Sequence, residues 1–190
     1  MPRPALSRLL LPLTVVTLGG VGLACSDSLL GPASVPNTVD TVTLYALSGT
    51  AISAPSAYSM LDVRSVRTDT TSQFDFAFDI TAAGTPLLYS AGALGLSAEP
   101  GLQRSTKRFA DVRTAPNEGY SADSLEMKID SVFVARSRGS FAGCLFLGSV
   151  PRYGKFRVLA IDGTARSITL ETLVNLNCGF RSLEEGIPKS

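Results

Sequence analysis

Gln73-Phe74-Asp75-Phe76-Ala77-Phe78-Asp79-Ile80 places a large apolar residue at every second position. A period of two belongs to an extended strand, because successive side chains project to opposite faces. The pattern predicts Phe74, Phe76, Phe78 and Ile80 on a core face, with Asp75, Ala77 and Asp79 on the other. Outward from this stretch the same period recurs. Ile168, Leu170, Thr172, Val174 and Leu176 form a second series, preceded by Phe156 to Ile161 and the dipeptide Asp162-Gly163. Asp-Gly between alternating runs predicts a tight hairpin with positive φ at both central residues. Lys155 to Ile161 is therefore expected to pair with Arg166 to Asn175.

Further strands are expected at Thr41 to Leu47, Ala57 to Val66, Leu87 to Tyr89, Leu125 to Ala135 and Gly143 to Leu147. Leu125, Met127 and Ile129 share one parity and Val132 and Val134 the other, so a bulge or break is predicted near Asp130-Ser131. The polar, turn-rich stretch Gly92 to Gly119 reads as long connections around a short strand at Phe109 to Val112. Nowhere does an i, i+3, i+4, i+7 stripe persist for three turns. The expected fold class is all-β: a single-domain antiparallel β-sandwich with long polar connections.

The N-terminus carries an address. Arg3 and Arg8 are followed by an uncharged, mostly apolar run from Leu9 to Ala24, shorter than the roughly 20 residues a membrane-spanning helix needs. Residues 1–24 are expected to be a signal peptide. The run ends in Val21-Gly22-Leu23-Ala24-Cys25, which resembles the bacterial lipoprotein box, in which the cysteine is lipid-modified after cleavage. Gly22 stands where that box usually has leucine, and Gly22-Leu23-Ala24 also fits ordinary secretory cleavage before Cys25. Residues 25–37 are expected to be the anchor cysteine and a flexible tether rich in Ser, Pro and Gly, and residues 38–190 the folded domain.

Three cysteines, Cys25, Cys144 and Cys178, are an odd number for an exported chain. Lipid on Cys25 leaves an even pair, and a Cys144–Cys178 disulfide is expected in an oxidising compartment. The alternative is two buried free thiols.

Function is narrowed mainly by exclusion. The chain contains no histidine, which removes the commonest general base and metal ligand and the usual partner of a Ser or Cys nucleophile. No G-x-S-x-G elbow occurs. Seventeen Lys+Arg against 16 Asp+Glu provide no bulk field for nucleic acid. The basic group Arg104, Lys107, Arg108 and Arg113 has a single neighbouring aromatic, Phe109, and reads as a solvated loop. Asp75 and Asp79 lie about 13 Å apart along one strand, too far for a glycosidase pair; a calcium site involving Asp69 is the weaker reading. Gly148 to Lys155 has the wrong spacing for a phosphate loop, with Phe156 where Ser or Thr is required.

Several motifs in order resemble the HmuY family of bacterial envelope lipoproteins: Leu44-Tyr45-Ala46-Leu47-Ser48-Gly49, Phe74-Asp75-Phe76-Ala77-Phe78, Val132-Phe133-Val134-Ala135-Arg136, and Arg152-Tyr153-Gly154-Lys155-Phe156-Arg157-Val158 followed by Ile168-Thr169-Leu170. The resemblance implies a β-rich, lipid-anchored, haem-binding protein. Family members hold haem iron by histidine or methionine, whereas this chain offers only Met60 and Met127 after the signal peptide, both in strand-like runs. The expectation is thus a non-enzymatic binding or scaffold module at the cell envelope, attached to the membrane through lipid on Cys25, with no cofactor and no metal. Its partner would be an envelope protein, a glycan or a small apolar ligand. A carrier of haem or another apolar molecule is the alternative, and a histidine-free envelope hydrolase the weaker one.

Overall fold

The computed structural model describes residues 32–97, 99–139 and 150–188. Ten strands are described: β1 (Val39–Tyr45), β2 (Ala57–Ser59), β3 (Arg64–Val66), β4 (Phe76–Ile80), β5 (Pro86–Ser90), β6 (Gly101–Ser105), β7 (Ser124–Glu126), β8 (Val132–Arg136), β9 (Tyr153–Asp162) and β10 (Ser167–Asn175). They form two five-stranded antiparallel sheets, β1-β10-β9-β8-β6 and β3-β2-β4-β5-β7. The chain is an all-β sandwich, as the alternation predicts.

Between the sheets lies one core. Sheet two contributes Tyr58, Phe76, Phe78 and Leu88, and sheet one contributes Phe133, Phe156, Ile168 and Leu170, all buried. Phe133 stacks on Phe156 at 4.9 Å, and Phe76 meets both rings edge-on at 5.8 and 5.2 Å. Such offset and T-shaped contacts match the negative face and positive edge of each ring. Tyr58 is hydrogen-bonded to Thr172, and burial pushes its phenol up to about 12.

The central stretch departs from strict alternation at its start. The Asp75 N–H donates to Tyr58 O while Phe76 is the residue paired with Tyr58. Two residues thus stand against one, which is a bulge. Phe74 is carried to the opposite face, where it packs with Ala57, Val66 and Ala77 in a small separate cluster. Only Phe76, Phe78 and Ile80 reach the main core.

The break predicted near Asp130 is where the chain passes from sheet two, at β7, to sheet one, at β8. Asp130 has φ 63°, and its N–H donates to Val158 O. Ala57 to Val66 is a hairpin, β2 and β3, rather than one strand.

β9 and β10 pair as expected, but the turn differs. Asp162 and Ser167 close the ladder, leaving residues 163–166 as a four-residue loop. Asp162 Oδ1 accepts from the N–H groups of Thr164 and Ala165, both at 2.8 Å, and Arg166, not Gly163, holds positive φ. The aspartate side chain shapes this turn where backbone freedom was expected to.

Two connections differ from the pattern expected of the sequence. Gly101–Ser105 is an edge strand, and Phe109–Asp111 is a 3-10 turn where a strand was expected. The expected strand Gly143 to Leu147 lies outside the described residues.

Candidate functional site

The alternation of sheet one builds a second face. Tyr153, Lys155 and Arg157 of β9 point away from the inter-sheet core, as do Val134 of β8 and Leu173 of β10. The segment around the Phe109 turn and the segment near Leu183 fold over this face. They form a cluster of Phe109, Val112, Ala115, Val132, Val134, Tyr153, Leu173 and Leu183.

Within that layer lies Lys155, near the start of the central strand and only 4% exposed. Its cross-strand neighbours are Leu173 and Val134. Two residues on, Arg157 is opposite Glu171 and forms an ion pair at 2.9 Å. The register therefore gives Arg157 a carboxylate and gives Lys155 two hydrocarbon side chains. Lys155 Nζ donates to Val112 O at 3.2 Å and lies 4.6 Å from the centre of the Phe109 ring. Desolvation lowers its pKa, partly offset by the more distant charges of Glu185, Glu171 and Glu184.

Above Lys155 opens a cleft of about 610 Å³, walled by Val39, Arg108, Phe109, Ala110, Arg113, Arg157, Glu171, Glu184 and Glu185. That volume suits a small organic ligand. The arginines of the wall are already engaged: Arg157 with Glu171, Arg113 with Glu184 at 3.6 Å and Arg108 with Asp111 at 2.8 Å. Among the described residues Lys155 has no carboxylate within ion-pair distance. An ammonium carries three N–H donors, and a single carbonyl accepts from this one.

Arg108 and Arg113, read from sequence as part of a solvated basic loop, thus belong to the rim of this cleft. Arg104 is on β6 and donates to Glu126 O. From the sequence Lys155 is a strand residue at the end of a stretch with the wrong spacing for a phosphate loop. The signal was present in its parity with Tyr153 and Arg157, but nothing in the sequence showed that loops would cover that face.

The other candidates are consumed by structure. Asp75 is 1% exposed; it accepts from the N–H groups of Met60 at 2.6 Å and Arg138 at 2.8 Å, and pairs with the Arg138 guanidinium at 3.3 Å. Burial raises its pKa, with Arg138 and the two N–H groups opposing. Asp79 accepts from the Ser48 hydroxyl at 2.7 Å, and Asp69 is held by Arg67 at 2.6 Å. The described residues hold no group of three acidic or cysteine side chains able to bind a metal. Met60 and Met127 are both inside the main core, packed among aliphatic and aromatic side chains rather than lining the cleft.

At the cleft's rim the N-terminal segment is clipped down. Asn37 and Gly186 exchange backbone hydrogen bonds at 2.8 and 3.0 Å. Asn177 Oδ1 accepts from the N–H groups of Ser34 and Val35, and its Nδ2 donates to Val35 O. Ser34 to Asn37, at the end of the expected tether, are thus docked on the domain. Cys178 lies in the turn after β10 rather than in a strand. Cys144 and Cys25 lie outside the described residues. Among the described residues no helix is long and apolar enough to cross a membrane. No family model matches the chain, and no curated protein matches it significantly.

Proposed function

We propose that the chain is an exported, lipid-anchored β-sandwich of the bacterial cell envelope that binds a small molecule and performs no catalysis. The observation that carries the binding role is Lys155: a buried ammonium without a carboxylate partner, on a rigid central strand, at the floor of an open cleft. Burying a charge is costly unless something offsets it. Retaining one at that position makes sense if a ligand supplies the missing charge.

Anchoring is supported by the apolar run Leu9 to Ala24 and the Cys25 that follows it. The docking of Ser34 to Asn37 beside the cleft adds to this, since the nine residues from Cys25 to Ser34 reach at most about 30 Å when extended. A bridge between Cys178 and Cys144 completes the reading, since lipid on Cys25 leaves these two as a pair.

Intact-mass and peptide analysis of protein extracted from membranes tests the anchor. The expected N-terminal peptide begins at a lipid-modified Cys25, and Cys25→Ser moves the protein to the soluble fraction. An unmodified Cys25 on a soluble wild-type protein contradicts it.

A further inference from the structure

We propose that the cleft over Lys155 is a binding site for a small organic monocarboxylate, with its carboxylate on the Lys155 ammonium and its apolar part against Phe109 and Val39. This rests on the reading of the cleft as the place where the protein binds its ligand. Three observations select the ligand class.

The first is charge. The wall arginines are paired with Asp111, Glu184 and Glu171, Glu185 is the wall carboxylate outside these pairs, and among the described residues Lys155 has no carboxylate within ion-pair distance. A single negative charge satisfies Lys155. A dianion brings a second negative charge towards Glu185, the wall carboxylate outside the ion pairs.

The second is hydrogen bonding. With Val112 O accepting one N–H from Lys155, two donors remain, a number that one carboxylate can accept. The third is the surface beside them. The Phe109 ring, whose centre is 4.6 Å from the ammonium, and Val39, 39% exposed at the mouth, offer hydrocarbon contact to the remainder of such a ligand.

Calorimetric titration of the mature chain carrying Cys25→Ser, otherwise complete, tests this with hexanoate, acetate and inorganic phosphate. Hexanoate is expected to bind one-to-one and at least about tenfold more tightly than acetate, because burial of each methylene adds affinity, and phosphate more weakly than hexanoate. Lys155→Met is expected to abolish the hexanoate signal. Because that variant alters a buried position, Ala110→Trp supplies an independent block: Ala110 is exposed on the rim, and a bulky side chain there is expected to weaken hexanoate at least about tenfold.

Absence of hexanoate binding, tighter binding of phosphate, or hexanoate binding unchanged in both variants overturns the proposal. If hexanoate fails while a co-purified molecule is displaced by Ala110→Trp, the carboxylate assignment falls and the cleft stands as the binding site.

Discussion

Asp75 and Arg138, 63 residues apart in sequence, meet beneath the surface, the Arg138 guanidinium 3.3 Å from the Asp75 carboxylate and the Arg138 N–H donating to the same oxygen at 2.8 Å. This pair fastens the end of β8 in sheet one to the bulge at the start of β4 in sheet two. Arg152 joins it from the start of β9, donating to Leu61 O at 2.7 Å and exchanging hydrogen bonds with Ser137.

Removing one partner leaves the other buried and unpaired, which costs about 3 to 5 kcal/mol. Asp75→Ala is expected to lower stability by that order, measured by urea unfolding. The double variant Asp75→Ala/Arg138→Ala is expected to lose clearly less than the sum of the single losses. Additive losses would show that the two residues do not act as a pair.

Asp75 also sets a pH dependence. Burial raises its folded-state pKa above the unfolded value, although Arg138 and the two N–H groups oppose it, so deprotonating Asp75 costs more in the folded chain than in the unfolded one. Its stabilising contribution is full below the unfolded pKa and is lost as pH rises through the folded one. Unfolding free energies of wild type and Asp75→Asn, compared from acid upward, should show wild type losing ground to the variant as pH rises from the ordinary carboxylate range. A difference that does not change with pH contradicts this assignment.

Lys155→Met separates a ligand-binding role from a structural one. Methionine fits between Leu173 and Val134 and removes an uncompensated charge, so the variant is expected to gain about 1 kcal/mol or to remain unchanged in thermal unfolding. A loss above about 2 kcal/mol would show that the contacts to Val112 O and Phe109 hold the fold together.

Gly101 begins β6 where the chain passes closest to Tyr120. A Cβ there would stand 2.7 Å from Tyr120 Cβ and 3.3 Å from Ser121 O. Gly101→Ala is expected to cost about 1 to 3 kcal/mol through displacement of that neighbour. Gly163 has open space around it and no positive φ, so Gly163→Ala in the same unfolding assay should lie within about 0.5 kcal/mol of wild type.

Much of this architecture is legible in single strands. β4 and β10 announce themselves because one face of each is buried against the opposite sheet, which forces alternation. The break at Asp130 is legible because a chain crossing between sheets must change which parity faces inward. β6 is not legible: of Gly-Leu-Gln-Arg-Ser only Leu102 enters the main core, and its pairing with β8 holds it in place. The bulge at Asp75 is equally silent, since it moves Phe74 from one apolar environment to another. The site is hidden for a related reason. A lysine on the outward parity of a strand reads as solvated, and only the docking of the Phe109 and Leu183 segments over sheet one makes it buried.

Native mass spectrometry of the exported protein, purified gently, shows whether Lys155 holds a ligand when wild type and Lys155→Met are compared. A small-molecule adduct is expected on wild type and a bare mass on the variant, with both proteins folded. A bare wild-type protein, or an adduct retained equally by Lys155→Met, would contradict it.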